Sequence, residues 1–96
     1  KLVPKTGIYV VYVYHNGHKY SGMLSIGHNP TFEGKVQTIE VNILDFSKDI
    51  YGDNLTLEFV DFIRNEKKFE SMDAMIAEIK NDEKITRNVI AGLKGG

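Results

Sequence analysis

Gly7-Ile-Tyr-Val-Val-Tyr-Val-Tyr14 is the stretch that decides the fold of this 96-residue chain. Its β-branched and aromatic residues occupy odd and even positions alike, which is typical of a strand covered on both faces. His15-Asn16-Gly17-His18 follows, and Asn-Gly between two apolar runs favours a tight hairpin because both turn residues adopt positive φ. We therefore predict a central strand over residues 7–14 and an antiparallel partner over residues 18–26.

The next part of the chain predicts a loop and two further strands. The segment Gly27–Gly34 contains Pro30, which has no backbone N–H to donate, so we predict a loop there. Residues 35–46 alternate apolar and polar side chains, as a half-buried strand requires. The apolar row is Ile39, Val41 and Ile43, and the polar row is Thr38, Glu40 and Asn42. After a turn over residues 47–54, alternating apolar residues predict a fourth strand that ends near residue 63.

A helix is predicted after a charged connection over residues 64–70. Ser71 is a suitable N-cap, and Met72, Met75, Ile76 and Ile79 recur at helical spacing. We predict a helix from Met72 to Asp82 or further, with this stripe, Met72 and Met75 included, packed in the core. A second short helical stretch over residues 83–90 stays open, and residues 91–96 are predicted to be a flexible tail. Residues 1–90 then form one domain.

Composition excludes several classes of protein. Twelve Lys and Arg against thirteen Asp and Glu give a net charge of -1, so there is no basic footprint for nucleic acid or an anionic membrane. The chain has no Cys and its three His lie in loop-like stretches, which argues against disulfides and structural zinc. Its longest apolar run, Ile8–Tyr14, is far below the roughly 20 residues of a membrane span. We expect a cytoplasmic protein, and the start at Lys1 without an initiator Met indicates a fragment.

The predicted element order indicates a mainly β architecture. Four or more antiparallel strands followed by one helix suit a small barrel or a strongly curled sheet. Full closure would remove the edges that a strongly apolar sheet exposes to aggregation. A missing first strand would leave the barrel open.

Glu40 is the first candidate for chemistry. A carboxylate fixed on a rigid strand can act as a general base towards a hydroxyl group. The alternative is a solvated sheet face on which Thr, Glu and Asn alternate, and spacing alone favours that alternative.

Two further groups of residues are weaker candidates. The glycines of Gly27–Gly34 could cradle a phosphate, but the segment lacks the Lys and Ser/Thr of a P-loop and opens no helix, so a connecting loop is favoured. Tyr51 lies at a turn, and Arg64 with Phe69 lies at a strand exit, where each could stack on a planar heterocycle. Core packing is the alternative for these rings.

Five stretches of the sequence, in order and spacing, resemble the riboflavin kinase family, in particular the kinase module of bacterial bifunctional riboflavin kinase/FAD synthetase. They are Gly7-Ile-Tyr-Val-Val11, Gly22-Met-Leu-Ser-Ile-Gly-His-Asn-Pro-Thr-Phe32, Ile39-Glu-Val-Asn-Ile-Leu-Asp-Phe46, Asp49-Ile-Tyr-Gly52 and Ile63-Arg-Asn-Glu-Lys-Lys-Phe69. The resemblance covers residues 2–82 and implies a six-stranded antiparallel Greek-key-type barrel with a C-terminal helix. It also implies transfer of the γ-phosphoryl group of MgATP to the 5′-hydroxyl of riboflavin, which yields FMN and ADP.

The resemblance also implies roles for individual residues. Glu40 matches the family's catalytic base. The flavin-binding positions that it implies are Asp61, Ile63 and Arg64. The nucleotide-binding positions that it implies are Tyr51, Gly27 and Asn29, the last two near the mouth of the active site.

Two departures from the family pattern qualify these implications. Asn42 stands where many relatives have His. The family's Gly-rich flap and its Pro-Thr-Ala-Asn motif, which hold Mg²⁺ and phosphates, lie upstream of the first strand and are absent here, so we expect no metal ligands in this fragment and no activity from it alone. An adenylyltransferase domain is expected in the parent chain. The alternatives are a non-catalytic flavin- or protein-binding barrel and a structural module.

Overall fold

A computed structural model describes residues 4–32, 34–47 and 52–95 of the chain. The elements are strands β1 (Gly7–His15), β2 (His18–Thr31), β3 (Gly34–Ile43) and β4 (Thr56–Arg64), followed by helix α1 (Met72–Gly95). The strands form one antiparallel sheet in the order β3-β2-β1-β4. The prediction of a mainly β chain with a C-terminal helix is confirmed.

Strand β1 lies inside the sheet, between β2 and β4, as its sequence predicts. Val10, Val11 and Val13 are fully buried, which requires cover on both faces of the strand. The hairpin to β2 turns at Asn16 and Gly17, whose φ angles are 50° and 79°. Positive φ at both central residues gives the twist that matches the flanking strands.

The two faces of the sheet are covered differently. One face carries the core cluster Tyr9, Val11, Val13, Leu24 and Ile26, against which side chains of β3 and β4 pack. The other face is covered by α1, which contacts β2 and β4. The helix buries Asp82, Thr86 and Ile90, each one turn after the last, so its C-terminal half lies on the sheet.

The predicted loop over residues 27–34 is wrong for most of its length. Strand β2 continues through Thr31 and pairs with β3, with Gly27 opposite Thr38 and Pro30 opposite Lys35. Pairing of β2 with β1 ends where Ile26 meets Gly7, so β2 has a described neighbour on only one side beyond that point. Proline is tolerated in such a strand because its missing N–H costs no ladder bond on the unpaired side.

Helix α1 is longer than predicted and packs through a different part of its surface. It runs without interruption from Met72 to Gly95, through residues 83–90, whose helical state the sequence leaves open, and into the predicted tail. The hydroxyl of Ser71 accepts a hydrogen bond from the Ala74 N–H at 3.1 Å, as expected of an N-cap. The apolar stripe is not core: Met72 is 66% exposed and Met75 is only half-buried. The N-terminal half of α1 therefore stands away from the sheet.

The sheet is not a closed barrel within the described residues. Strands β3 and β4 lie at opposite edges of the four-stranded sheet and do not pair with each other. Large apolar side chains near these edges, Ile39, Phe59 and Phe62, are 37–56% exposed. The predicted count of six strands is thus not observed in this part of the chain. None of the described helices is long and apolar enough to cross a membrane.

Candidate active site

A cavity of about 360 Å³ lies between the sheet and the N-terminal half of α1. The helix packs closely on the sheet only from Asp82 onward. Its N-terminal half lies above the sheet without close packing, and this separation leaves the cavity. Its apolar lining includes Ile8, Met23, Phe69, Met75 and Ile79. Its polar lining includes Glu40, Asn42, Arg64, Glu66, Lys67 and Asp82. The lining is divided evenly between apolar and polar residues, and a cavity of this size in which several polar groups converge can hold a small molecule.

Glu40 lies in the middle of β3, opposite Ser25 of β2, and lines this cavity. Asn42 lies two residues further on the same face, opposite Met23. Glu40 and Asn42, two of the three residues of the predicted polar row of β3, therefore border a cavity beneath a helix. Glu40 is also exposed, so a ligand entering the cavity can reach its carboxylate.

Arg64 reaches the same cavity because the pairing of β4 with β1 is irregular. Phe62 is opposite Tyr9, and Arg64 is opposite Ile8, so Ile63 is an extra residue on β4. Regular alternation would place Arg64 on the same face as Phe62, whose ring contacts Tyr9 at 5.2 Å between centroids. The β-bulge shifts it to the face of Ile8, which lines the cavity.

The guanidinium group of Arg64 is held by α1. Its Nε donates to Oδ1 of Asp82 at 2.9 Å and its Nη2 donates to Oδ2 at 2.8 Å. The side chain of Asp82 is only 3% exposed and that of Arg64 16%, so the pair is largely removed from water. Arg64 also faces the Phe69 ring, 5.8 Å from its centroid, which agrees with the cation and ring placed together by the sequence.

The connection between β4 and α1 makes further polar contacts at the cavity. Lys67 pairs with Glu78 of α1 at 3.1 Å, one helical turn before Asp82. Gly27 lies directly beneath Glu66: a Cβ atom on this glycine would be 2.5 Å from Oε2 of Glu66. The absence of a side chain at Gly27 therefore gives Glu66 the room to lie over β2 at the cavity wall.

The structure brings only some of the predicted site residues together. Glu40 and Arg64 line the cavity, whereas Gly27, Asp61 and Ile63 are not among its lining residues. Asp61 is exposed, lies opposite Val10, and accepts a hydrogen bond from the Phe62 N–H. The side chain of Asn29 and the whole of Tyr51 lie outside the described residues.

Sequence reasoning missed Asp82, the partner of Arg64. Asp82 continues the helical stripe of Met75 and Ile79 and precedes the buried Thr86 by one turn. A charged residue on the inward stripe of a helix needs a partner, which is the signal that could have found it. That the partner is Arg64 depends on the bulge at Ile63, for which we found no sequence signal.

The described residues contain no ready-made metal site. Within them no group of three or more His, Asp or Glu side chains is arranged to hold a metal ion. The carboxylate of Asp82 is committed to Arg64, so the acidic residues of the cavity do not form a ready set of ligands.

Comparison with known proteins identifies the family of the chain. A family model described as riboflavin kinase matches residues 1–90. The bifunctional riboflavin kinase/FMN adenylyltransferase of Listeria monocytogenes is 42% identical over 94 residues, which are 97% of this chain and 30% of that protein. The enzyme of the same description from Bacillus subtilis is 38% identical over 85 residues, 85% of this chain and 27% of that protein.

A solved structure from another organism is similar to this chain in both fold and sequence. It is described as the crystal structure of a macrolide-efflux protein from Streptococcus pneumoniae, and it superposes with a TM-score of 0.85 at 44% identity. The match covers 91% of this chain and 29% of that one. This chain belongs to the riboflavin kinase family. It spans about 30% of the length of the curated relatives.

Proposed function

We propose that the full-length protein containing this sequence is an ATP:riboflavin 5′-phosphotransferase that produces FMN and ADP. One observation carries the proposal: in a member of the riboflavin kinase family, Glu40 and Arg64 line the same cavity. The cavity combines an accessible carboxylate with apolar walls, and riboflavin combines a reacting hydroxyl with a planar, largely apolar ring system. The two sets of features are complementary.

In this proposal Glu40 is the general base. Its carboxylate accepts the proton of the 5′-hydroxyl as that oxygen bonds to the γ-phosphorus and the bond from phosphorus to the bridging oxygen of ADP breaks. Phosphoryl transfer depends mainly on alignment and charge stabilisation, with little covalent chemistry for the protein to perform. A carboxylate on a paired strand suits this role because the sheet fixes its position relative to the cavity.

The flavin ring is proposed to lie between the end of β4 and the first half of α1. Arg64 and Phe69 offer a cationic plane and an aromatic ring at this position, and Met75 offers an adaptable apolar contact. Asp61 and Ile63 would contribute through the segment that leads to Arg64. Tyr51, Gly27 and Asn29 are proposed to border the nucleotide.

The remaining parts of the site are proposed to lie elsewhere in the full-length protein. Riboflavin kinases use ATP with a divalent metal, here proposed to be Mg²⁺, and the described residues do not fit that ion as they stand. We propose that an upstream Gly-rich flap and a Pro-Thr-Ala-Asn segment supply the ligands, and that upstream strands complete a six-stranded barrel against the exposed apolar side chains of β3 and β4. An adenylyltransferase domain and a cytoplasmic location are part of the same proposal.

The test is a turnover assay with riboflavin and MgATP on the full-length protein, run beside titrations with riboflavin and MgADP. FMN formation supports the proposal. Binding of riboflavin without FMN formation would support a non-catalytic flavin-binding barrel in its place, and binding of neither ligand would support a structural module. The 96-residue chain alone is expected to form no FMN.

A further inference from the structure

The ion pair between Arg64 and Asp82 fixes the plane of the guanidinium group. Two neighbouring donors, Nε and Nη2, meet two different oxygens of one carboxylate, and this fork-to-fork geometry permits little rotation. The third nitrogen, Nη1, donates to the Asn65 carbonyl at 3.1 Å. All three nitrogens of Arg64 are therefore held by the protein.

Arg64 would not be held in this way by its own strand. It is the last residue of β4, it follows the bulge at Ile63, and an unrestrained arginine side chain samples many rotamers. Asp82, by contrast, lies in the well-packed part of α1, one turn before the buried Thr86. The Asp82 carboxylate, which is fixed by the packing of the helix, therefore restricts the rotamers of Arg64 at the end of β4.

We infer that Asp82 is a positioning residue for riboflavin, which acts by presenting Arg64 at a fixed angle to the flavin ring. This inference rests on the proposed function. A planar ring stacks on a guanidinium plane only when the two are parallel, and a plane that is ordered before binding avoids the entropy loss of ordering it during binding. Asp82 should therefore govern the affinity for riboflavin, with little influence on the affinity for ATP or on the chemical step.

The test is a double-mutant cycle in the full-length protein with Arg64→Gln, Asp82→Asn and the double variant. Riboflavin and ATP KM values and kcat come from FMN formation, and the riboflavin Kd comes from quenching of flavin fluorescence. We expect Asp82→Asn to raise the riboflavin KM and Kd about tenfold, with kcat and the ATP KM nearly unchanged. The matched control is Glu83→Gln, the adjacent acidic residue of α1, whose partner Arg87 lies outside the cavity; it should leave all four constants unchanged.

The double variant separates positioning from a general effect on folding. If Asp82 acts through Arg64, the double variant should bind riboflavin as Arg64→Gln does, within about twofold. A further loss of affinity in the double variant, or equal changes in both KM values and kcat, would overturn the inference. If Asp82→Asn alone does not fold, Asp82→Glu takes its place: it keeps the charge but displaces the carboxylate by one methylene group, so it should raise the riboflavin KM and Kd with kcat unchanged, and unchanged riboflavin constants would overturn the inference.

The readouts also distinguish failure of the inference from failure of the proposed function. A wild-type protein that binds riboflavin without forming FMN would refute the kinase activity, and the Kd cycle would still test Asp82. A wild-type protein that forms FMN, with an Asp82→Asn variant of unchanged riboflavin KM and Kd, would refute the inference alone. A wild-type protein that neither binds riboflavin nor forms FMN would refute both.

Discussion

Glu40 and Arg64 line one cavity although they belong to β3 and β4, the two outer strands of the four-stranded sheet. Strands β2 and β1 lie between them, and the N-terminal half of α1 lies above. The cavity is therefore a property of the curled sheet and its helix together, and no single strand or loop contains it. Four predictions test the stability of this fold and the chemistry of its site.

Gly7→Ala should destabilise the sheet where β1 meets the end of β4. Gly7 has a φ of 148°, and a Cβ atom there would lie 2.6 Å from Cε1 of Phe62 and 2.8 Å from the Arg64 carbonyl oxygen. A loss of about 1–3 kcal/mol in the free energy of unfolding is expected from the backbone conformation alone. Gly92→Ala is the control: it lies in α1 with nothing within 4 Å of the added Cβ, so urea unfolding should show a gain of about 0.5–1 kcal/mol.

Asp82→Asn should lower the free energy of unfolding of the protein as well as its affinity for riboflavin. It removes the bidentate carboxylate from the largely buried guanidinium of Arg64, which keeps only the more distant Glu78 carboxylate at 3.5 Å, so a loss of about 1–3 kcal/mol is expected. The measurement is the urea midpoint of the full-length protein. Asp45→Asn breaks an ion pair with Arg87 in which the Asp45 side chain is 75% exposed, so its midpoint should stay close to that of the wild type. Equal losses in the two variants would contradict the burial argument.

The Asp45–Arg87 pair should contribute fully to stability above the unfolded pKa of the carboxyl, about 3.9, and lose this contribution progressively at lower pH. Hydrogen bonds from the Arg87 guanidinium hold the pKa of the Asp45 carboxyl below its usual value. A carboxyl whose pKa is lower in the folded state stabilises that state above its unfolded pKa of about 3.9, and the contribution is lost as the pH falls through the folded pKa. The small stability difference between wild type and Asp45→Asn should therefore be constant near neutral pH and shrink in acid. A carboxyl resonance of Asp45 that titrates at or above pH 3.9 would contradict this.

The sequence predicted the parts of the fold that local patterns determine. The density of apolar residues in β1 indicated its central position, and Asn16-Gly17 indicated the hairpin that follows it. The end of β2 is predicted wrongly by Pro30, because pairing with β3 on one side suffices to continue the strand beyond the point where its pairing with β1 ends. The stripe from Met72 was assigned to the core because spacing alone cannot show that a helix stands away from its sheet.

For the site, too, the sequence predicts less where a feature depends on two elements that are distant in the chain. Alternation within β3 alone favours a solvated face for Glu40, and its role as a site residue is predicted by the resemblance to the riboflavin kinase family; the structure places Glu40 at the lining of the cavity, where its side chain is exposed. The partnership of Arg64 with Asp82 was not predicted, because it joins two elements through a bulge at Ile63 that shifts one side chain to the other face. Such a shift depends on the register between strands, which a single strand does not reveal.

The most direct test of the account is FMN formation by the full-length protein with Glu40→Gln. Loss of a general base is expected to lower kcat by about 10²–10⁴-fold with little change in riboflavin affinity, because glutamine keeps the size of the side chain and removes its basicity. Glu58→Gln, on β4 and outside the cavity lining, is the matched control and should keep wild-type activity. A Glu40→Gln variant that makes FMN at the wild-type rate would contradict the assignment of Glu40 as the base.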